Sequence, residues 1–75
     1  DLIVCYRGLF IAIEVKSPTH KGRASDIQKL KIRKIRDCGG IAFITDSLED
    51  VVKVFNQIDT VTLGCQMYEY NDKYL

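Results

Sequence analysis

The chain is predicted to fold as an α/β domain with a mixed sheet, and three observations carry that expectation. Two runs rich in β-branched and aromatic residues flank an Arg-Gly pair. A capped helix rich in Lys and Arg follows, and then a short apolar strand and a second amphipathic helix. The order β-hairpin, helix, strand, helix builds a sheet with antiparallel and parallel pairs and helices against it.

Each element has a local reason. Residues 1–6 (DLIVCY) and 9–16 (LFIAIEVK) have strand length and composition, and Arg7-Gly8 between them suits a tight turn. Their apolar residues point to both faces, which predicts a sheet covered on two sides. Residues 17–24 (SPTHKGRA) read as a loop. Ser25 and Gln28 form a capping-box pattern, and the helix they open runs to about Asp37 or Cys38, stopping at Gly39-Gly40. On it, Lys29, Arg33 and Arg36 fall on one face, within about 60°. Ile27, Leu30, Ile35 and Cys38 form the expected opposite apolar stripe, with Lys31 and Lys34 intruding on it. Ile41–Thr45 (IAFIT) reads as a buried strand. Ser47 opens the second helix, where Leu48, Val51, Val52 and Phe55 keep helical spacing. Residues 61–63 suggest a last strand, and residues 64–75 show no clear period.

The 75 residues allow one small domain, spanning 1–75. A domain of about 60 residues buries only about 60% of its unfolded surface, so stability is expected to be marginal. Hydrophobic content of 47% and charged content of 28% exclude a disordered chain. No apolar run reaches the roughly 18 residues of a membrane span, and no signal peptide is read at the start. Three cysteines at positions 5, 38 and 65 do not form a disulfide framework and fit a reduced, intracellular setting. Cys5 and Cys38 are expected to be small core residues. No Cys/His spacing suits zinc.

The net charge of +1 is an average over unlike segments. Residues 1–15 sum to −1. Residues 16–36 carry eight bases and one acid, for +7. Residues 37–75 carry seven acids and two bases, for −5. A basic block of this density suits a polyanion, because each neutralised phosphate releases counterions. It also suits a merely solvated helix face.

The chemistry concentrates at the open end of the hairpin. With a two-residue turn, paired positions sum to 15, so Asp1 faces Glu14, and Glu14 and Lys16 share a face. Directly opposed like charges destabilise a sheet and invite a cation. Two carboxylates suit a hard divalent ion such as Mg²⁺, and Lys16 could then act on the attacking water or offset phosphate charge. A three-residue turn instead pairs Asp1 with Val15 and separates the carboxylates by face. An ordinary exposed ion pair of Glu14 and Lys16 is the plain alternative.

Asp1-Leu2-Ile3, Gly8, Ile13-Glu14-Val15-Lys16, Ser25 and Gln28 on the next helix, and Gly39-Gly40 together resemble the PD-(D/E)XK nuclease superfamily. Within it the chain is most similar to the VRR-NUC branch, the virus-type replication–repair nucleases. The resemblance covers about residues 1–55 and implies a restriction-endonuclease-like core. It implies that Asp1 and Glu14 bind metal (Mg²⁺ or Mn²⁺) with the backbone carbonyl of Val15, that Lys16 is the catalytic lysine, and that Gln28 supports the site. The implied reaction is metal-dependent hydrolysis of a DNA phosphodiester, leaving 5′-phosphate and 3′-hydroxyl ends, on Holliday-junction, flap or other branched DNA. A homodimer and a bacterial or phage-infected cytoplasm are implied too. The family fold starts with a helix ahead of the Asp1 position, so a nuclease domain lacking that helix is expected. His20, Lys21 and Arg23, in the loop after Lys16, and Lys29, Arg33 and Arg36 on the helix are the candidate DNA contacts. His20 is a weak candidate for a general base. Gln28 has a second use, as the capping partner of Ser25. Tyr68, Tyr70 and Tyr74 are expected to pack or to belong to a loose tail rather than to stack on bases. The rival readings are a non-catalytic DNA-binding module of the same fold, and a structural α/β subunit that docks a partner through its acidic half.

Overall fold

The computed structural model describes residues 2–17, 22–60 and 68–75. Strands β1 (Leu2–Tyr6) and β2 (Leu9–Val15) form the hairpin, followed by helix α1 (Asp26–Asp37), strand β3 (Ile41–Thr45) and helix α2 (Leu48–Thr60). Among the described residues the sheet is three-stranded, in the order β1-β2-β3. β1 runs antiparallel to β2, and β2 parallel to β3, so the sheet is mixed as expected. The expected strand at 61–63 lies outside the described residues.

The hairpin turn decides the register. Arg7 (φ 52°) and Gly8 (φ 81°) both occupy the left-handed region, the conformation of a two-residue I′ turn whose twist matches the strands. Tyr6 therefore faces Leu9, and Leu2 faces Ile13. The three-residue alternative is excluded. Holding Arg7 at positive φ costs about 1–2 kcal/mol. Its guanidinium is anchored by Asp59, 3.0 Å away on the last turns of α2. Tyr6 donates a hydrogen bond to the same carboxylate at 2.8 Å and stacks edge-on against Phe55, with centroids 5.1 Å apart. The last turn of α2 carries no basic residue of its own, so Arg7 supplies the cation that a helix C-terminus favours.

The two helices cover opposite faces of the sheet. Ile11, Ile13, Ile41 and Phe43 pack with Val54 and Ile58 of α2. Ala42 and Ile44 pack with Ile32 of α1, together with Ala24 and Tyr74. Covering is incomplete at β1, contrary to expectation. Leu2 and Ile3 are exposed, and Cys5 and Cys38 are exposed thiols rather than core residues. The reason is that α1 packs over β3 rather than over the hairpin, leaving Ile3, Cys5 and Phe10 uncovered on that side.

The apolar stripes of both helices are also rotated from the expected ones. On α1 the buried residue is Ile32, flanked by half-buried Gln28 and Ile35, while Ile27 and Leu30 face outward. On α2, Val54 and Ile58 are buried with Val51 and Phe55 beside them, while Leu48 and Val52 are exposed. In each helix the sequence offers two apolar stripes at helical spacing, and contact with β3 selects one.

Residues 68–75 wrap the β3 edge and are packed. Tyr68 and Tyr70 lie on the α2-side core, and Tyr74 and Leu75 on the α1-side core. Gln57 on α2 grips the Glu69 backbone twice, donating to its carbonyl at 2.8 Å and accepting from its amide at 2.6 Å. Arg36 donates to the Ala42 carbonyl and to both oxygens of Asp72, and its guanidinium lies 3.7 Å from the Tyr70 ring centroid. Further along, Asp46 accepts a hydrogen bond from Tyr74 at 2.9 Å and pairs with Lys73 at 2.8 Å.

Two predictions follow from this packing. A Cβ on Gly40 would lie 2.9 Å from Ile35 Cγ2, 3.2 Å from the Ile35 carbonyl and 3.3 Å from the Phe10 carbonyl. Gly40→Ala is expected to cost about 1–3 kcal/mol in urea unfolding, the usual range for overpacking. The Lys73 and Tyr74 hydrogen bonds hold the Asp46 carboxyl below its ordinary 3.8. A depressed carboxylate contributes stability that is present above its unfolded pKa and lost as pH falls through the folded one. Asp46→Asn should therefore lower stability at neutral pH and flatten the acid limb below about pH 4, followed by circular dichroism. An acid limb identical to wild type would contradict it.

Candidate active site

The site forms at the carboxyl end of β2, beside the start of α1. Strand alternation turns Ala12 and Glu14 to the α1 face, and Ile11 and Ile13 to the α2 face. Lys16 continues this ladder: its amide donates to the Thr45 carbonyl at 2.8 Å. It thereby shares the face of Glu14, as expected.

Gln28 reaches Glu14 from above. Its backbone N–H donates to Ser25 Oγ at 3.2 Å, and its Oε1 accepts from the Ser25 N–H at 3.0 Å, closing the capping box. Its remaining side-chain group, Nε2, donates to Glu14 Oε1 at 2.9 Å. The expected capping box is made, and the same side chain also bonds Glu14. The amide oxygen is fixed by the cap, so the NH₂ must face the sheet.

The Val15 carbonyl belongs to the peptide whose N–H, that of Lys16, faces β3. In a trans peptide the two groups point in opposite directions, so this carbonyl is directed to the β1 side of the strand. Asp1 lies outside the described residues, as do His20 and Lys21. Among the described residues no three His, Cys, Asp or Glu side chains cluster as a metal cage.

The basic residues divide between two flanks of α1. Lys29, Arg33 and Arg36 line one cleft of about 380 Å³ with Ile32 and Leu75. Gln28 and Lys31 line the other, of about 410 Å³, which contains Glu14 and a floor of Ile3, Ala12 and Ile13. The expected basic face therefore lies on the flank of α1 away from Glu14. Arg36 is turned to Asp72 and Tyr70, and Arg23 reaches the Leu75 carbonyl at 3.4 Å. Lys31, which the sequence leaves open to snorkelling or to meeting DNA or a second subunit, is the α1 cation lining the Glu14 cleft. Its spacing, one helical turn after Gln28, was the available signal.

The end of β3 is finished by hydroxyl chemistry. Thr45, 2% exposed, places its hydroxyl 2.9 Å from both Asp50 Oδ2 and the Ser47 carbonyl, and it accepts from the Ser47 N–H. Ser47 in turn accepts from the Asp50 N–H, the N-cap contact expected from the sequence. β2 leads to a helix on one face of the sheet and β3 to a helix on the other.

No family model, curated protein or solved structure matches this chain. Among the described residues, no helix is long and apolar enough to cross a membrane.

Gln28 allows its two roles to be separated. Gln28→Glu keeps an acceptor for the Ser25 N–H but sets a carboxylate against Glu14. It should be about 1 kcal/mol less stable than wild type at pH 7. Like charges disfavour ionisation in the folded variant, so the gap should close as pH falls toward the unfolded Glu value of about 4.3. A pH-independent gap in urea titrations would show that Glu14 and Gln28 do not interact.

Proposed function

We propose that this chain is the core of a metal-dependent DNA nuclease of PD-(D/E)XK type, in the VRR-NUC branch, with a restriction-endonuclease-like arrangement of hairpin, helix, strand and helix. The observation that carries this reading is the 2.9 Å hydrogen bond from Gln28 to Glu14, next to Lys16 on the same strand face. A glutamine committed to a helix cap yet aimed at a strand carboxylate fixes that carboxylate in one rotamer. Fixing a ligand group this way is the work of an outer-sphere partner in a metal site.

The donors present fit a hard cation. Glu14 offers carboxylate oxygen and Val15 a backbone carbonyl on the β1 side. Mg²⁺ is held by one or two carboxylates together with waters and substrate phosphates, so a three-carboxylate cage is not required. The reading takes Asp1 as the second carboxylate. Glu14, the Val15 carbonyl and Asp1 would hold Mg²⁺ or Mn²⁺. Such an ion would supply Lewis-acid stabilisation of the charge on a phosphate oxygen.

The chain's own residues do the rest. Gln28 holds the Glu14 carboxylate in place. Lys16 sets an ammonium on the same face, where negative charge develops on the phosphate. Lys31 on the near flank of α1, with Lys29 and Arg33 on the far one, provides contacts to the DNA backbone that position it without reading sequence. The substrate class is branched or junction DNA, and the uncovered apolar residues Ile3, Phe10, Ile27 and Leu30 support association with a second copy.

Glu14→Ala and Lys16→Ala should each lower Mg²⁺-dependent cleavage by about 100-fold or more while circular dichroism stays unchanged. Four-way junction, flap and linear DNA are the substrates to compare. Undiminished cleavage by either variant would sink the assignment. Salt-sensitive DNA binding with no metal-dependent cleavage would assign the chain to a DNA-binding module instead.

A further inference from the structure

Tyr74 makes two contacts, one to the residue before the α1 cap and one to the residue after β3. Its backbone carbonyl accepts from the Ala24 N–H at 2.9 Å. Ala24 immediately precedes Ser25, the residue that caps α1 and orients Gln28. Its hydroxyl donates to Asp46 Oδ2 at 2.9 Å. Asp46 immediately follows Thr45, whose carbonyl holds the Lys16 amide. The ring between these contacts is 8% exposed and packs with Ala24, Ile32 and Ile44, so it is seated by the same core that seats α1.

The contacts run in two short chains. One passes from Tyr74 O through Ala24, Ser25 and Gln28 to Glu14. The other passes from Tyr74 Oη through Asp46 and Thr45 to Lys16. Tyr74 lies far from both in sequence, in a segment otherwise held by Gln57, Arg36 and Lys73. The Tyr74 hydroxyl is held protonated, since its pKa is raised by the hydrogen bond to Asp46 and by burial. It therefore remains a donor at neutral pH.

We infer that Tyr74 is a positioning residue for the proposed nuclease site: it ties the loop before α1 to the end of β3, and so sets Gln28 against Glu14 and Lys16 beside it. The inference rests on the nuclease reading for its consequence, and on the hydrogen bonds alone for the coupling.

The test uses the intact chain with Tyr74→Ala and Tyr74→Phe. The readouts are the NMR resonances of the Gln28 side-chain NH₂, hydrogen exchange at the Lys16 amide, and Mg²⁺-dependent cleavage. In Tyr74→Ala the Gln28 NH₂ resonances should move toward those of a solvated glutamine. Lys16 exchange should accelerate at least tenfold, and kcat should fall at least tenfold with KM within twofold. Both variants keep the backbone carbonyl, but only Tyr74→Phe keeps the ring that seats it against Ala24 and Ile32. Tyr74→Phe should leave the Gln28 resonances near wild type while still accelerating Lys16 exchange, with kcat between those of wild type and Tyr74→Ala. Unchanged Gln28 resonances in folded Tyr74→Ala would overturn the inference. If that variant does not fold, Tyr74→Phe decides: unchanged Lys16 exchange overturns it. If both structural signals move but the wild-type chain cleaves no DNA, the coupling stands and the nuclease reading falls.

Discussion

The register of the β1–β2 hairpin is the constraint on which the rest of the structure depends. Because side chains alternate, a slip of one residue would send Ile11 and Ile13 to the α1 face and Glu14 to the α2 core. The I′ turn at Arg7-Gly8 prevents that slip, since both residues sit at positive φ and only a two-residue loop joins the strands. Asp59 then locks the turn from outside, through Arg7 and Tyr6 together. The same contact ties the hairpin tip to α2, and therefore to the core beneath β2 and β3. The register places Glu14 on the α1 face, and the parallel pairing of β2 with β3 fixes how far along the strand α1 can begin.

Gln28 converts that placement into a site. A capping box needs only an acceptor at the third helical position, which either Glu or Gln supplies. Glu would turn a carboxylate toward Glu14, whereas Gln donates to it. Local helix geometry and the tertiary contact thus agree on one residue type, the kind of consistency across levels that specifies a fold. The Ser25 cap is in turn held by its neighbour Ala24, which bonds the C-terminal segment. Local capping and long-range wrapping meet at two adjacent residues.

Most of the element order was legible in the sequence, because its signals are local. The turn, the Ser25 cap, the Gly39-Gly40 stop and the apolar run at 41–45 each depend on a few neighbouring residues. The faces of the helices were not legible. Ile27 and Leu30 keep the same spacing as the stripe that includes Ile32, and only the position of β3 decides between them. Cys5 was misjudged for the same reason: it lies on a strand whose α1 side nothing among the described residues covers. At the site, the capping box of Ser25 and Gln28 was legible because it is local, whereas the Glu14–Gln28 hydrogen bond joins two elements and was not. The flank on which Lys31 lies was not legible, because sequence alone does not say which side of α1 faces the hairpin. The wrapping of residues 68–75 was invisible, since its anchors, Arg36–Asp72, Gln57–Glu69 and Tyr74–Asp46, join residues without any shared period.

The charge asymmetry acquires a different meaning once those anchors are known. The +7 of residues 16–36 and the −5 of residues 37–75 are partly spent on each other, because Arg36 binds Asp72 bidentately while its planar face lies on Tyr70. Arg suits this position as Lys would not, since only a planar fork satisfies a carboxylate, a carbonyl and a ring at once. Arg36 is half-buried while Asp72 is exposed. The basic segment therefore does two jobs along one helix. Arg36 draws the acidic C-terminal residues around the sheet edge. Lys29, Lys31 and Arg33, one to two turns earlier, remain on the two flanks beside Gln28, where a phosphate backbone could be met. A segment that seemed to be a uniform basic face is a hinge of charge: its C-terminal end holds the fold closed, and its N-terminal end borders the Glu14 site.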